Sequence, residues 1–125
     1  MSPEYIQEWL EKAEQDYQTV LLISRQKKRF LPDVLCFLAH QCVEKYLKAL
    51  LVKHDHPVVK THDLVFLADQ LKEAEPELEL TRDVLRRLNR YAVKFRYPGE
   101  GATRTEARWA AKQIKELRKI LLLKM

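Results

Sequence analysis

The sequence predicts an all-α protein: an antiparallel up-and-down four-helix bundle with one additional short helix. Three observations point there. Only two of the 125 residues are glycine, and β-branched runs are few, which argues against a sheet and for helices joined by short loops. Residues 33–53 form one unbroken helical stretch in which Leu35, Leu38, Ala39, Cys42, Val43, Tyr46, Leu47, Ala49 and Leu50 cover more than half the circumference. A surface helix carries a narrower apolar stripe, so this one must touch more than one neighbour, inside its own bundle or across a subunit interface. Finally, Thr103 stands three residues before Glu106, the spacing of a capping box that opens a helix.

Each element has its own signals. Helix one is expected to start with Ser2 as N-cap and Pro3 at the first helical position, where a missing N–H costs nothing. Ile6, Trp9, Leu10, Ala13, Tyr17, Val20 and Leu21 then recur on one face. The basic run from Arg25 to Arg29 falls at its carbonyl end, where cations suit the dipole. Pro32 opens helix two, which runs to about His54. Residues 55–60 form a loop punctuated by Pro57. Thr61 is the expected N-cap of a short third helix, from about His62 to Glu73, with Leu64, Leu67 and Leu71 inward. After an acidic connection, helix four is expected from near Thr81 to Arg96 or Tyr97, with Leu85, Leu88, Ala92 and Phe95 inward; Pro98 stops it. The last helix follows the capping box and buries Ala107, Ala110, Ile114, Leu117 and Leu121. No repeat or linker divides the chain, so residues 1–125 read as a single helical domain.

Composition narrows the function classes. No stretch approaches the roughly 20 apolar residues that cross a bilayer, and the amino terminus lacks the order of a secretory signal. Cys36 and Cys42 lie six apart on one helix and point in different directions, so they cannot bridge each other. Free thiols fit a reducing compartment, and a cytoplasmic protein is expected, without membrane contact. The net charge of +5 is unevenly spread: residues 1–80 hold 10 Lys/Arg and 14 Asp/Glu, residues 81–125 hold 13 and 4. A basic half of this kind either attracts a phosphate-rich partner or is a solvated face.

Candidate functional residues fall in four places. Gln41, Glu44, Lys45 and Lys48 step i, i+3, i+4, i+7, either as a solvent strip with a Glu44–Lys48 pair or as the lining of a groove where Lys45 and Lys48 meet phosphates. His40, nearer the apolar edge, reads as a hydrogen-bonded core histidine. Lys60-Thr61-His62-Asp63-Leu64 joins a cap, an imidazole and a carboxylate at a helix start. Such a place suits anions; the alternative is that Thr61 and Asp63 satisfy backbone amides while His62 packs beneath the loop. On helix four, Arg86, Arg90 and Lys94 step i, i+4, i+8 as a ridge for a phosphate backbone. Arg96 and Tyr97 close that helix. His54, His56 and His62 do not have the spacing of a zinc site, and neither a phosphate loop nor a triad or paired-carboxylate signature is present. No metal, cofactor or catalytic residue is therefore expected.

Taken together, Trp9, Ala13 and Asp16 on helix one, the stretch from Cys36 to Leu51 (CFLAHQCVEKYLKALL), Thr61-His-Asp-Leu64 and Arg96-Tyr-Pro98 resemble the HEPN domain family in its small stand-alone prokaryotic form. The likeness spans nearly the whole chain. It implies a helical bundle, commonly a homodimer, often paired with a minimal nucleotidyltransferase in toxin–antitoxin modules or as a substrate-binding partner. Many members of the family are metal-independent ribonucleases that use an arginine, four to six residues, then a histidine. Here no histidine follows an arginine at that distance, and Arg90 has six residues before Tyr97. Tyrosine, with a pKa of about 10, is poorly poised to move a proton near neutral pH. The expectation is therefore a non-catalytic binding module for nucleotide, phosphate or a nucleotidyltransferase, with Lys45, Lys48, His62, Arg90, Arg96 and Tyr97 framing the ligand site. The alternatives are a ribonuclease toxin, with Arg90 holding the scissile phosphate of RNA, and a purely structural interaction protein.

Overall fold

The computed structural model describes residues 3–94 and 97–125. All regular structure among them is helical: α1 Pro3–Ser24, α2 Pro32–Lys53, α3 Leu64–Gln70, a 3-10 helix Pro76–Thr81, α4 Arg82–Asn89, a 3-10 turn Arg90–Ala92, and α5 Arg104–Leu123. Ser2, the expected cap of helix one, and Phe95, expected inward on helix four, lie outside the described residues, as does Arg96.

The second helix is the hub. Leu35, Ala39, Cys42, Leu50 and Leu51 are fully buried, and Val43, Tyr46, Leu47 and Val52 nearly so. It packs against α1 and α5 along its length and against α3, α4 and the Arg90–Ala92 turn, which is why so little of its surface is polar. Each fully buried leucine contributes on the order of 1.5–3 kcal/mol. Cross-helix pairs fix the directions. Lys48 lies over Trp9, Tyr46 bonds Glu14 and Lys45 bonds Asp16, so α1 and α2 are antiparallel. Asp33 meets Ala102, Tyr46 meets Arg118 and Lys53 meets Lys124, so α5 runs alongside α2 in the same direction.

Helix ends follow local chemistry. Pro32 sits in the first turn of α2, and Asp55, with φ of 58°, takes the left-handed conformation that ends it. Thr103 and Glu106 form both hydrogen bonds of the capping box that starts α5. Burial of both cysteines keeps them protonated: Cys36 is pushed up to about 12 and Cys42 higher still. No described helix is long and apolar enough to cross a membrane.

The fourth helix departs from expectation. Instead of a long helix to Arg96 or Tyr97, α4 lasts eight residues and tightens into a 3-10 turn. The buried residues are Leu85 and Leu88 on α4 and Tyr91 on the 3-10 turn. Burying bulky Tyr91 edge-on to Trp109, at 6.4 Å between ring centroids, displaces the expected inward Ala92. Pro76–Thr81 is likewise 3-10, with Leu78 and Thr81 buried three apart. Only α1, α2 and α5 are long among the described residues. The α3 helix is shorter than expected, and its cap is Asp63, not Thr61.

Candidate functional site

The row on α2 does not lie in solvent. Glu44 is 4 % exposed and Lys48 7 %. Lys48 Nζ donates to Glu44 Oε2 at 2.9 Å and lies 5.6 Å from the Trp9 ring centroid. The other carboxylate oxygen, Oε1, accepts from His62 Nδ1 at 2.7 Å. Glu44 thus joins two of the expected ligand residues, Lys48 on its own helix and His62 at the start of α3. Two donors answer one buried carboxylate, which removes most of the desolvation cost of its charge.

His62 is held in place by its backbone. His40, fully buried, donates from Nε2 to the His62 carbonyl at 2.7 Å. Asp63 caps α3, accepting from the Val65 and Phe66 amides at 3.0 and 3.2 Å. Asn89, at the end of α4, accepts from Leu64 N and donates to Asp63 Oδ1, both at 2.8 Å. Burial raises the Asp63 carboxyl, but the Asn89 amide and these backbone amides outweigh it, leaving it below the usual carboxylate range. Burial lowers the pKa of His40, which keeps that imidazole neutral. The His62 side chain itself is 71 % exposed; it stands at the surface and does not pack beneath the loop. With Nδ1 bound to Glu44, it turns Nε2 outward.

His62 borders a cleft of about 250 Å³, lined also by Phe37, Gln41, Ala92 and Val93. The cleft lies where α2, the α3 start and the Arg90–Ala92 turn meet. Arg90 is exposed on that turn, and Tyr97, 63 % exposed, follows in the succeeding loop. Arg96 lies outside the described residues. Lys45 is not part of this group: its ammonium donates to Asp16 on α1 at 2.7 Å.

The helix-four ridge is not a continuous phosphate track. Arg86 is paired with Asp83 at 2.9 Å, Arg82 with Asp69 at 2.6 Å, and the Arg87 guanidinium lies 3.8 Å from the Trp109 ring centroid. Since α4 ends at Asn89, Arg90 lies on the 3-10 turn and Lys94 in the turn beyond it. Sequence reasoning missed Asn89 and the role of Glu44 as a shared anchor. A polar residue at the end of a helix signals only a cap, and the partner of Asn89 lies 26 residues away. His54 bonds Glu75 at 3.2 Å, apart from His62. Among the described residues no group of three or more His, Cys, Asp or Glu is placed to hold a metal ion.

A second polar network lies across α2. Glu14 accepts from Arg118 Nε and Nη2 at 2.9 and 2.6 Å and from the Tyr46 hydroxyl at 2.6 Å. The Arg118 hydrogen bond holds the Glu14 carboxyl below its ordinary range, and Glu14 in turn raises Arg118.

No curated protein and no solved structure matches the chain. One family model, described as the HEPN domain, matches residues 6–124. The chain belongs to the HEPN domain family.

Proposed function

We propose that this HEPN protein is a non-catalytic binding module whose ligand carries a phosphate, as a nucleotide does, and whose site is the cleft beside His62. The observation that carries this reading is the outward Nε2 of an imidazole fixed from behind by buried Glu44 and through its carbonyl by His40. A protonated His62 donates to a phosphate oxygen from a position that needs no reorganisation, and preorganisation lowers the cost of binding. Arg90, Arg96 and Tyr97 belong to the same proposed site. Lys48 supports it through Glu44, whereas Lys45 is committed to Asp16.

The same reading makes the protein a cytoplasmic homodimer and a companion of a minimal nucleotidyltransferase in a toxin–antitoxin pair. Exposed apolar side chains near the α1–α2 connection, Leu22, Leu31 and Val34, supply surface suited to protein contacts. Calorimetric titration with ribose 5-phosphate at low salt tests the site. Binding that weakens with salt and falls at least about tenfold in His62→Ala is expected; no heat of binding counts against the reading. Light scattering tests the dimer, with a mass of one chain opposing it.

One observation favours a second reading, the ribonuclease. The family's Arg-to-His spacing is absent, but the Glu44–His62 pair provides an imidazole able to move a proton, with Arg90 on the adjacent turn to hold a phosphate. Cleavage of RNA that disappears in both His62→Ala and Arg90→Ala would support this reading. Intact RNA after prolonged incubation would end it.

A further inference from the structure

The turn between α1 and α2 carries four cations in five residues: Arg25, Lys27, Lys28 and Arg29. The helix dipole accounts for little of this run. α1 ends at Ser24 with no basic residue in its last turn, and the dipole falls off within that turn. Lys27, Lys28 and Arg29 lie in bends beyond the helix. All four residues are exposed, and among the described residues none is paired with a carboxylate. Elsewhere the cations are answered: Lys45 meets Asp16, Arg82 meets Asp69 and Arg118 meets Glu14. Arg104 adds a further charge, its guanidinium 4.9 Å from the Phe30 ring centroid, which brings the start of α5 to this turn.

The turn has a firm support. Ile23 is buried at its start, and Phe30 packs against the core at its end. The cations therefore stand on backbone already placed, and binding orders little more than side chains. Apolar surface accompanies them. Leu22 is 58 % exposed and Leu31 51 %, one just before Arg25 and the other just after Arg29.

Three kinds of anionic surface compete for such a turn. A nucleic-acid strand uses the cations, but it also wants rings on which bases stack; the Phe30 ring is faced by Arg104, and the leucines meet nothing. An anionic bilayer draws polybasic segments, but interfacial anchors are Trp and Tyr, and residues 22–31 contain neither. A protein segment with carboxylates set among aliphatic side chains uses both the cations and the leucines.

We infer that residues 22–31 dock a partner protein through an acidic segment that carries aliphatic side chains. None of these residues lines the cleft beside His62, so the surface is separate from the phosphate site. It rests on the reading that gives Leu22 and Leu31 to protein contacts and adds the chemistry of the partner.

The experiment is fluorescence anisotropy of the full chain with labelled peptides of Glu-Glu-Leu repeats and, at equal length, Glu-Glu-Ser repeats. Labelled single-stranded RNA and co-sedimentation with phosphatidylserine vesicles serve as competitors for the same turn. The leucine peptide is expected to bind at least about tenfold more tightly than the serine peptide, and salt should weaken both. Changing Lys27→Glu, Lys28→Glu and Arg29→Glu together should cut peptide affinity at least about tenfold, while ribose 5-phosphate titrates as in the wild type. Leu31→Ser should remove most of the preference for the leucine peptide. Equal binding of the two peptides, binding that survives the triple change, or no peptide binding overturns the inference. So does RNA or vesicle binding at least as tight as that of the leucine peptide. Failure of ribose 5-phosphate to bind the wild type bears on the phosphate reading alone, and a mass of one chain by light scattering bears on the dimer alone.

Discussion

Two polar networks flank α2, and they are built differently. On the α1 and α5 side, Glu14, Arg118 and Tyr46 answer one another: Glu14 takes three donors, and Arg118 also lies 4.5 Å from the Tyr17 ring centroid. On the α3 side, Glu44 takes Lys48 and His62, and the series ends at an exposed imidazole beside a cleft. The first network closes on itself and ties three helices together. The second ends at a largely exposed imidazole. A closed network serves stability; an open one on a rigid support is where a ligand can bind.

The largest expected effect comes from cutting the open network at its root. Glu44→Ala leaves the Lys48 ammonium buried without its carboxylate, and loss of one partner of a buried pair costs about 3–5 kcal/mol. Thermal unfolding should fall by roughly 10 °C or more. Adding Lys48→Met should recover much of that loss, because two apolar side chains replace the pair. A single variant as stable as the wild type would show that the pair is not desolvated.

Next comes the closed network. Arg118→Met removes charge-assisted hydrogen bonds worth about 1–3 kcal/mol, at the lower end because both partners are partly exposed. Its pH dependence has a definite sign. The folded Glu14 carboxyl titrates below its ordinary 4.5, so its contribution is present above that value and is lost as pH falls through the lowered one. The stability gap between wild type and Arg118→Met should therefore shrink below about pH 4.5. A gap independent of pH would assign the loss to packing of the arginine stem.

A smaller effect is expected at the α3 start. Asp63→Ala removes the cap and the Asn89 bond, at a cost of about 1 kcal/mol, and should weaken ligand binding by loosening His62. His62→Ala takes one donor from the buried Glu44 carboxylate, but water can reach the space left by this largely exposed side chain, so its cost should stay below about 1 kcal/mol. Ligand affinity, by contrast, should fall at least about tenfold. That split between stability and binding separates the two networks most sharply.

Much of the frame was readable because its signals are local. The capping box at Thr103, the proline at the start of α2 and the inward leucines of α3 and α5 depend on neighbours within a turn or two. The apolar breadth of α2 also foretold a helix with several neighbours. What periodicity could not supply was the partner of each charge. Lys45 and Lys48 are equivalent in a helical wheel, yet one meets Asp16, 29 residues back, and the other meets Glu44 on its own helix. Tyr46 finds Glu14 across 32 residues and Arg118 across 72. The α4 region misled because a helix carried on to Arg96 or Tyr97 at a period of 3.6 turns Ala92 inward, whereas the chain tightens into a 3-10 turn at Arg90 and buries Tyr91 instead. His62 was placed in the site from its turn, but its carboxylate partner was visible only once α3 was docked on α2.

The most direct test follows the His62 imidazole and the Arg118 guanidinium by 15N-detected magnetic resonance while ribose 5-phosphate is added. Saturable shifts are predicted at His62 with Arg118 unmoved. Silence at His62, or shifts centred on Arg118, would contradict a binding site on the open network.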